Sequence, residues 1–428
     1  MLALAGRRLP GTTAGWVVAV AGGVARQARS RTLGARPADD QAAREAASAA
    51  AQAYATIGET YYMGGQLLPM VASGIGAINA AERAGSPVDM AAGYAVAALG
   101  ARVSGRHRLA GWYGRLADEA IATAGDEVEL AYPLEVRSVD HITTAAWPAT
   151  DTCLRRAADA FARIGQPRYW DECTALAAIA DCYRGGYRRA ADTFARVVAS
   201  ARGRHDPVAL NWGLAGEAEA LLRLYQDTAP ALALLEESRT LLGDLPAAER
   251  LRVHAALGLA HLRDGRDDEA AAAARAGLAE VARAGMLRMW LGEALTAMAE
   301  LTLELERRGG DRAATASAHE RLRAFAARSP VAAARASRAA GVRLWLAGRR
   351  PRALRALRRS LDAARRFDLP YDEGMAHLEL GRHLGTNQAT PGEWGREEHL
   401  RRAAELFEAL GTEPALHRTR EALEVQRA

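Results

Sequence analysis

The sequence predicts an all-α chain built from repeated helical hairpins, and three observations predict it. Ala, Leu, Arg and Glu, all good helix formers, dominate the composition. Helix-breaking residues fall in two interleaved series, each with a spacing of about 40 residues. Alternating β-branched runs do not occur, and VVAV at 17 to 20 is too short for a strand and sits in helical context.

The chain has 428 residues, 50% of them hydrophobic and 25% charged, which is ample for a core. Its formal charge is +5, yet the basic residues are scattered among 51 acids with no run of five or more, so neither nucleic acid nor a membrane surface is expected as a partner. Lysine is absent, which excludes Schiff-base chemistry and a lysine-containing phosphate loop within this polypeptide. The three cysteines, Cys153, Cys173 and Cys182, include no C-x-x-C pair, so no disulfide framework or zinc knuckle is expected and a reducing cytoplasm is the default.

In chain order, Arg7 and Arg8 precede an apolar stretch, Ala14 to Ala25, that outlines an export signal but is too short to span a bilayer; a helix packed on the rest of the chain is expected there. Residues 1 to 45 form a lead-in, and Pro37, Asp39 and Asp40 start the first regular helix. In YYMGGQLLPM, residues 61 to 70, Gly64 and Gly65 close that helix and Pro69 falls in the first turn of the next, where its missing N–H costs little. Corners of the same kind follow at Gly105, Ala145, Gly185, Gln226, Gly265, Gly309 and Gly348. The second series, half a period out of phase, runs through AGSP (84 to 87), AGD (124 to 126), IGQP (164 to 167), GRHDP (203 to 207), GDLP (243 to 246), ARAG (282 to 285), RSP (328 to 330) and FDLP (367 to 370). At the fourth of these, Asp206 before Pro207 is a helix start. The polar loop at 385 to 395 precedes a closing helix from about Glu397.

Small residues flank the corners. Seven positions before stand Gly58, Ala98, Ser138, Ala178, Glu219, Gly258, Thr302 and Gly341; five after stand Met70, Ala110, Thr150, Ala190, Ala231, Ala270, Ala314 and Ala353. Close helix crossings of this kind belong to tetratricopeptide-like arrays, here with a period near 40 rather than 34. The expected architecture is therefore a tetratricopeptide-like superhelix, an α-solenoid of eight to nine hairpins over residues 46 to 428.

Candidate chemistry is sparse. His377 and His383 around Glu379 are six apart and lie on different helix faces, unlike a zinc pair at i, i+4. His254 and His261 share a face but lack a completing carboxylate or cysteine, and Asp171 with Glu172 make an acidic first turn. No catalytic, cofactor or metal residue is expected. A concave face lined by the first helix of each hairpin is expected to bind a protein or peptide, with Tyr169, Trp170, Asn211, Trp212, Arg288 and Trp290 as candidate anchors.

Three blocks carry a family likeness: RRLPGTTAGW (7 to 16) with ARQARSR (25 to 31), AYATIGETYYMGGQLLPMVASGIGAINAAERAGS (53 to 86), and RIGQPRYWDECTALAAIADCYRGGYRRAADTF (163 to 194). Together they resemble the C-terminal helical-repeat region of large bacterial, especially actinobacterial, regulatory ATPases that carry an adenylate or guanylate cyclase domain. The resemblance implies a sensor or scaffold that works with a cyclase or P-loop ATPase module, and it disfavours the export signal. It carries no cyclase or ATPase activity to any residue here, because those modules are absent from the sequence. The expected function is a non-catalytic, cytoplasmic scaffold for protein–protein interaction in signalling or transcriptional regulation. The alternatives are an effector-sensing module for a small molecule or nucleotide, or the C-terminal fragment of such a regulator.

Overall fold

The computed structural model describes residues 9–34, 36–283, 288–384 and 394–424, and within them the chain is all-α, with no strand. α1 (Thr13–Leu33) precedes α2 (Gln41–Met63) and α3 (Leu67–Ala84), α4 (Pro87–Val103) and α5 (His107–Thr123), then α6 (Ala131–Thr144), α7 (Trp147–Arg163), α8 (Pro167–Tyr183) and α9 (Tyr187–Arg202). The series continues with α10 (Pro207–Leu224) and α11 (Ala229–Thr240), α12 (Ala247–Arg263) and α13 (Asp267–Arg283), α14 (Gly292–Arg307) and α15 (Arg312–Ala326). It ends with α16 (Ala333–Leu346) and α17 (Arg350–Arg366), α18 (Pro370–His383) and α19 (Arg396–Leu410), and α20 (Glu413–Glu424).

The breakers act where backbone geometry needs them. Gly65, Gly105, Gly185, Gly265, Gly309 and Gly348 all take positive φ at helix ends, the left-handed stop that glycine enters without steric cost. Ala145 adopts the same conformation at φ 58, whereas Gln226 does not. Asp40 caps α2 by accepting from the Ala43 amide, and Asp206 caps α10 by accepting from Val208 and Ala209 ahead of Pro207. The polar loop expected at 385 to 395 lies outside the described residues up to 393, and α19 starts at Arg396.

Small residues at the corners let paired helices approach. A Cβ on Gly341 would meet Leu357 at 2.6 Å and the Ala353 carbonyl at 3.3 Å. Ala110, Ala190, Ala270 and Ala353 are fully buried. One position departs from the expected column: Thr315, not Ala314, is the buried residue of its corner, and its hydroxyl donates to the Thr302 carbonyl at 2.9 Å. The Gly309–Gly310 corner is one residue longer than those at Gly65, Gly105, Gly185, Gly265 and Gly348, which shifts the seam by one.

Contacts divide the chain into two compact units. Met1–Ile142 with Ala146–Cys173 make the body of the first, and Thr174–Ala284 with Met289–Ala428 that of the second. In unit 1, α1 is docked on α3 rather than hanging from it. Gly23 admits Ile75 where a side chain would not fit, Gln27 Nε2 donates to Asn79 and Glu82, and Trp16 packs edge-on against Tyr61. In unit 2 the first helices of the pairs, α10, α12, α14, α16 and α18, follow one another, and α20 returns to pack on α10. The Gln226 amide donates to the Glu413 carboxylate at 3.3 Å at this closure. A set of first helices that comes back on itself has an interior, and its lining determines what unit 2 can hold.

Candidate functional site

A lone charge inside a helical core is expensive, so a buried ladder of charges must be paired rung by rung. Unit 2 contains such a ladder on its first helices. Glu293 of α14 accepts from Arg223 of α10 at 2.6 Å and from Arg335 of α16 at 2.6 Å. Arg335 also reaches Asp372 of α18 at 3.0 Å. Two turns along α14, Glu300 accepts from Arg223 at 2.8 Å and Arg338 at 2.6 Å. Burial alone would pull the Arg223 and Arg335 pKa values down, but the facing carboxylates more than offset it and both are raised. The same pairing holds Glu300 below the ordinary carboxylate range in spite of its burial.

Aromatic rings floor the ladder. The Arg335 guanidinium lies 4.6 Å from the Tyr183 ring centre, and Arg223 lies 5.4 Å from that of Tyr371, both within cation–π range. Tyr187 meets Tyr371 edge-on at 5.3 Å. Gly292, at the start of α14, leaves the space that the Tyr183 hydroxyl fills.

Arg223, Glu300 and Arg338 also line a chamber of about 370 Å³ with walls from α10, α12, α14, α16, α18 and α20. Seven arginines and four glutamates border it among the described residues. Arg307 pairs with Glu304 at 3.1 Å, and Arg308 with Asp267 at 2.6 Å. Arg263 and Arg418 have no carboxylate partner among the described residues. The first gives a hydrogen bond to the Leu222 carbonyl, and the second reaches the Pro414 carbonyl at 3.3 Å. Burial, reinforced by the charges of Arg223 and Arg418, pushes the Arg263 pKa down to about 10. The chamber thus carries uncompensated positive charge that an anion would neutralise.

The six candidate anchors are dispersed. Asn211 is fully buried; its Nδ2 donates to Glu249 at 3.1 Å and its Oδ1 accepts from Ser238. Trp290, also buried, donates Nε1 to the other oxygen of Glu249 at 3.1 Å, so these two anchors meet on one carboxylate. Trp212 and Arg288 are buried, while Tyr169 and Trp170 are half-buried. None of the six lines the chamber; Tyr169 borders a separate cavity in unit 1. Of the histidines, His377 is fully buried with Nδ1 2.7 Å from His399 Nδ1, and His383 pairs with Glu379 at 3.3 Å.

The chamber residues escaped the sequence reading because an Arg or Glu in a helix normally belongs to a solvated face. A trace of them was present. Arg338 and Glu300 are 38 residues apart, Arg335 and Asp372 are 37 apart, and Asn211 and Glu249 are 38 apart. Opposite or complementary side chains offset by roughly one hairpin pair are what neighbouring first helices need if their buried charges are to meet. In comparison with known proteins, no family model and no curated protein matches this chain.

Proposed function

We propose that this chain is a non-catalytic helical-repeat sensor in which the chamber of unit 2 binds an anionic effector and thereby biases a protein partner in cytoplasmic signalling. The observation that carries the proposal is the pair Arg263 and Arg418, cations facing a chamber of small-molecule size without carboxylates of their own. Guanidinium forks suit phosphate and carboxylate oxygens, which they bind in bidentate fashion. The floor of the chamber is already fixed by ion pairs, so little ordering cost remains for the ligand to meet.

Thermal shift and calorimetry with pyrophosphate, nucleoside triphosphates and uncharged nucleosides test the proposal. An anion at 100 times its Kd should stabilise the chain by about 2.7 kcal/mol. The effect should weaken with salt and disappear in Arg263→Met combined with Arg418→Met. Failure of every anion to stabilise the protein at millimolar concentration refutes it.

The family likeness in residues 7 to 31, 53 to 86 and 163 to 194 favours a second reading, in which the repeat array serves a cyclase or P-loop ATPase module as its protein partner. Co-purification of the chain with such a module from native cells supports that reading. Its absence from the purified assembly counts against it.

A further inference from the structure

Unit 1 holds a cavity of opposite chemistry. It has a volume of about 440 Å³ and is bordered by the first helices α2, α4 and α6 together with Phe161 and Tyr169. Glu59, Asp89 and Glu129 line it, and no arginine does among the described residues.

One buried carboxyl there has no hydrogen-bond or ion-pair partner among the described residues. Asp89 is 6% exposed and faces the cavity; its backbone amide is capped by Ser86, but its carboxylate makes no hydrogen bond or ion pair. Glu135 of α6, also 6% exposed, lies outside the residues that border the cavity. Burial pushes the Glu135 carboxyl well up, and the charges of Glu172 and Glu59 push it further. Glu59 is raised by burial in spite of Arg168 and a hydrogen bond from Tyr169. A carboxylate held in a buried setting with no cation beside it costs stability, and a cationic ligand at Asp89 would offset that cost.

The rest of the wall is aromatic. Phe161 and Tyr169 stack with ring centres 4.9 Å apart, and Tyr132 closes the cavity from α6. Aromatic faces combined with carboxylates recognise organic cations, whose charge meets the acids while the alkyl stem covers the rings. A bare metal ion fits less well: the cavity is large, and no group of three metal-binding side chains occurs among the described residues.

We propose that this cavity binds an organic cation, an alkylammonium or guanidinium group on an aliphatic stem, with Asp89, flanked by Glu59 and Glu129, as its charge partner and the Phe161–Tyr169 stack as its apolar wall. The ligand can be a free polyamine or agmatine-like molecule, or the Lys or Arg side chain of a peptide. The proposal is independent of the anion chamber, because it rests on different residues in a different unit.

Calorimetry on the full chain with putrescine, spermidine, agmatine and short Lys- or Arg-containing peptides, at matched ionic strength, tests it. Saturable binding is expected for at least one of these probes, and whichever arm binds, amine or peptide, identifies the source. Asp89→Asn should weaken binding at least tenfold, and Tyr169→Leu should weaken it severalfold. The proposal is overturned if no organic cation binds up to 10 mM (about 3 kcal/mol of binding free energy), if sodium or magnesium competes equally, or if Asp89→Asn binds as well as the parent.

Discussion

Replacing Arg335 by Met removes the central rung of the unit 2 ladder. The side chain is 2% exposed, bonds Glu293 and Asp372, and covers Tyr183. Met has similar length and no charge, so packing is largely kept and the electrostatic loss dominates. Glu293 retains Arg223, but Asp372, itself 2% exposed, loses its ion-pair partner. Breaking one side of a buried pair costs about 3–5 kcal/mol, because the surviving charge is left without compensation. For a unit of this size each kcal/mol lowers Tm by roughly 2–4 °C, so a fall of roughly 6–20 °C is expected.

Calorimetric and urea unfolding of Arg335→Met, of Asp372→Asn and of the double variant measure the effect. The double variant should recover much of the loss, since it leaves no orphaned charge. A single-variant loss below about 1 kcal/mol, the range of an exposed ion pair, would show that the ladder is solvated and that the reasoning is wrong.

Gly292→Ala should destabilise unit 2 by about 1–3 kcal/mol through a clash with the Tyr183 hydroxyl, and Tyr183→Phe in the same chain should relieve part of it; paired urea titrations check this. Burial, with His399 and Arg365 nearby, holds the His377 pKa down at about 3, so between pH 6.5 and about 3 the unfolded chain takes up a proton that the folded chain refuses. Stability should therefore fall on acidification through that window, and His377→Gln should reduce the slope of urea midpoint against pH. Glu379 is lowered to about 2 against its burial by His383 and Arg382, so its contribution should persist above pH 4.5 and fade below it, with Glu379→Gln flattening that limb. Glu135 is shifted the opposite way. Its folded form keeps its proton above the unfolded value, so its penalty grows with rising pH, and the advantage of Glu135→Gln should disappear near pH 4.

The helical hairpins were legible because their determinants are local. A left-handed glycine, an Asp before Pro and a small residue at a crossing each act within a few residues of themselves, and so show in a single sequence. The extra residue at Gly309–Gly310 was not legible, since one more turn residue changes which neighbour is buried without changing composition. Nor was the division into two units, whose boundary falls inside α8 with no breaker to mark it.

The candidate sites were hidden for a related reason. Large aromatics attract attention as anchors, yet Trp290 and Asn211 spend their polar atoms on Glu249, and Trp212 is buried. What distinguishes the two cavities is charge without a partner, which depends on which helices come together. Arg263 resembles many other arginines until the opposite wall proves to hold Arg223 and Arg418. Asp89 resembles an ordinary first-turn acid until the cavity before it proves to be lined by no arginine among the described residues. Both cavities thus border charge without an opposite charge beside it among the described residues, Arg263 and Arg418 in unit 2 and Asp89 in unit 1, and a ligand of opposite charge is what the two proposals expect there.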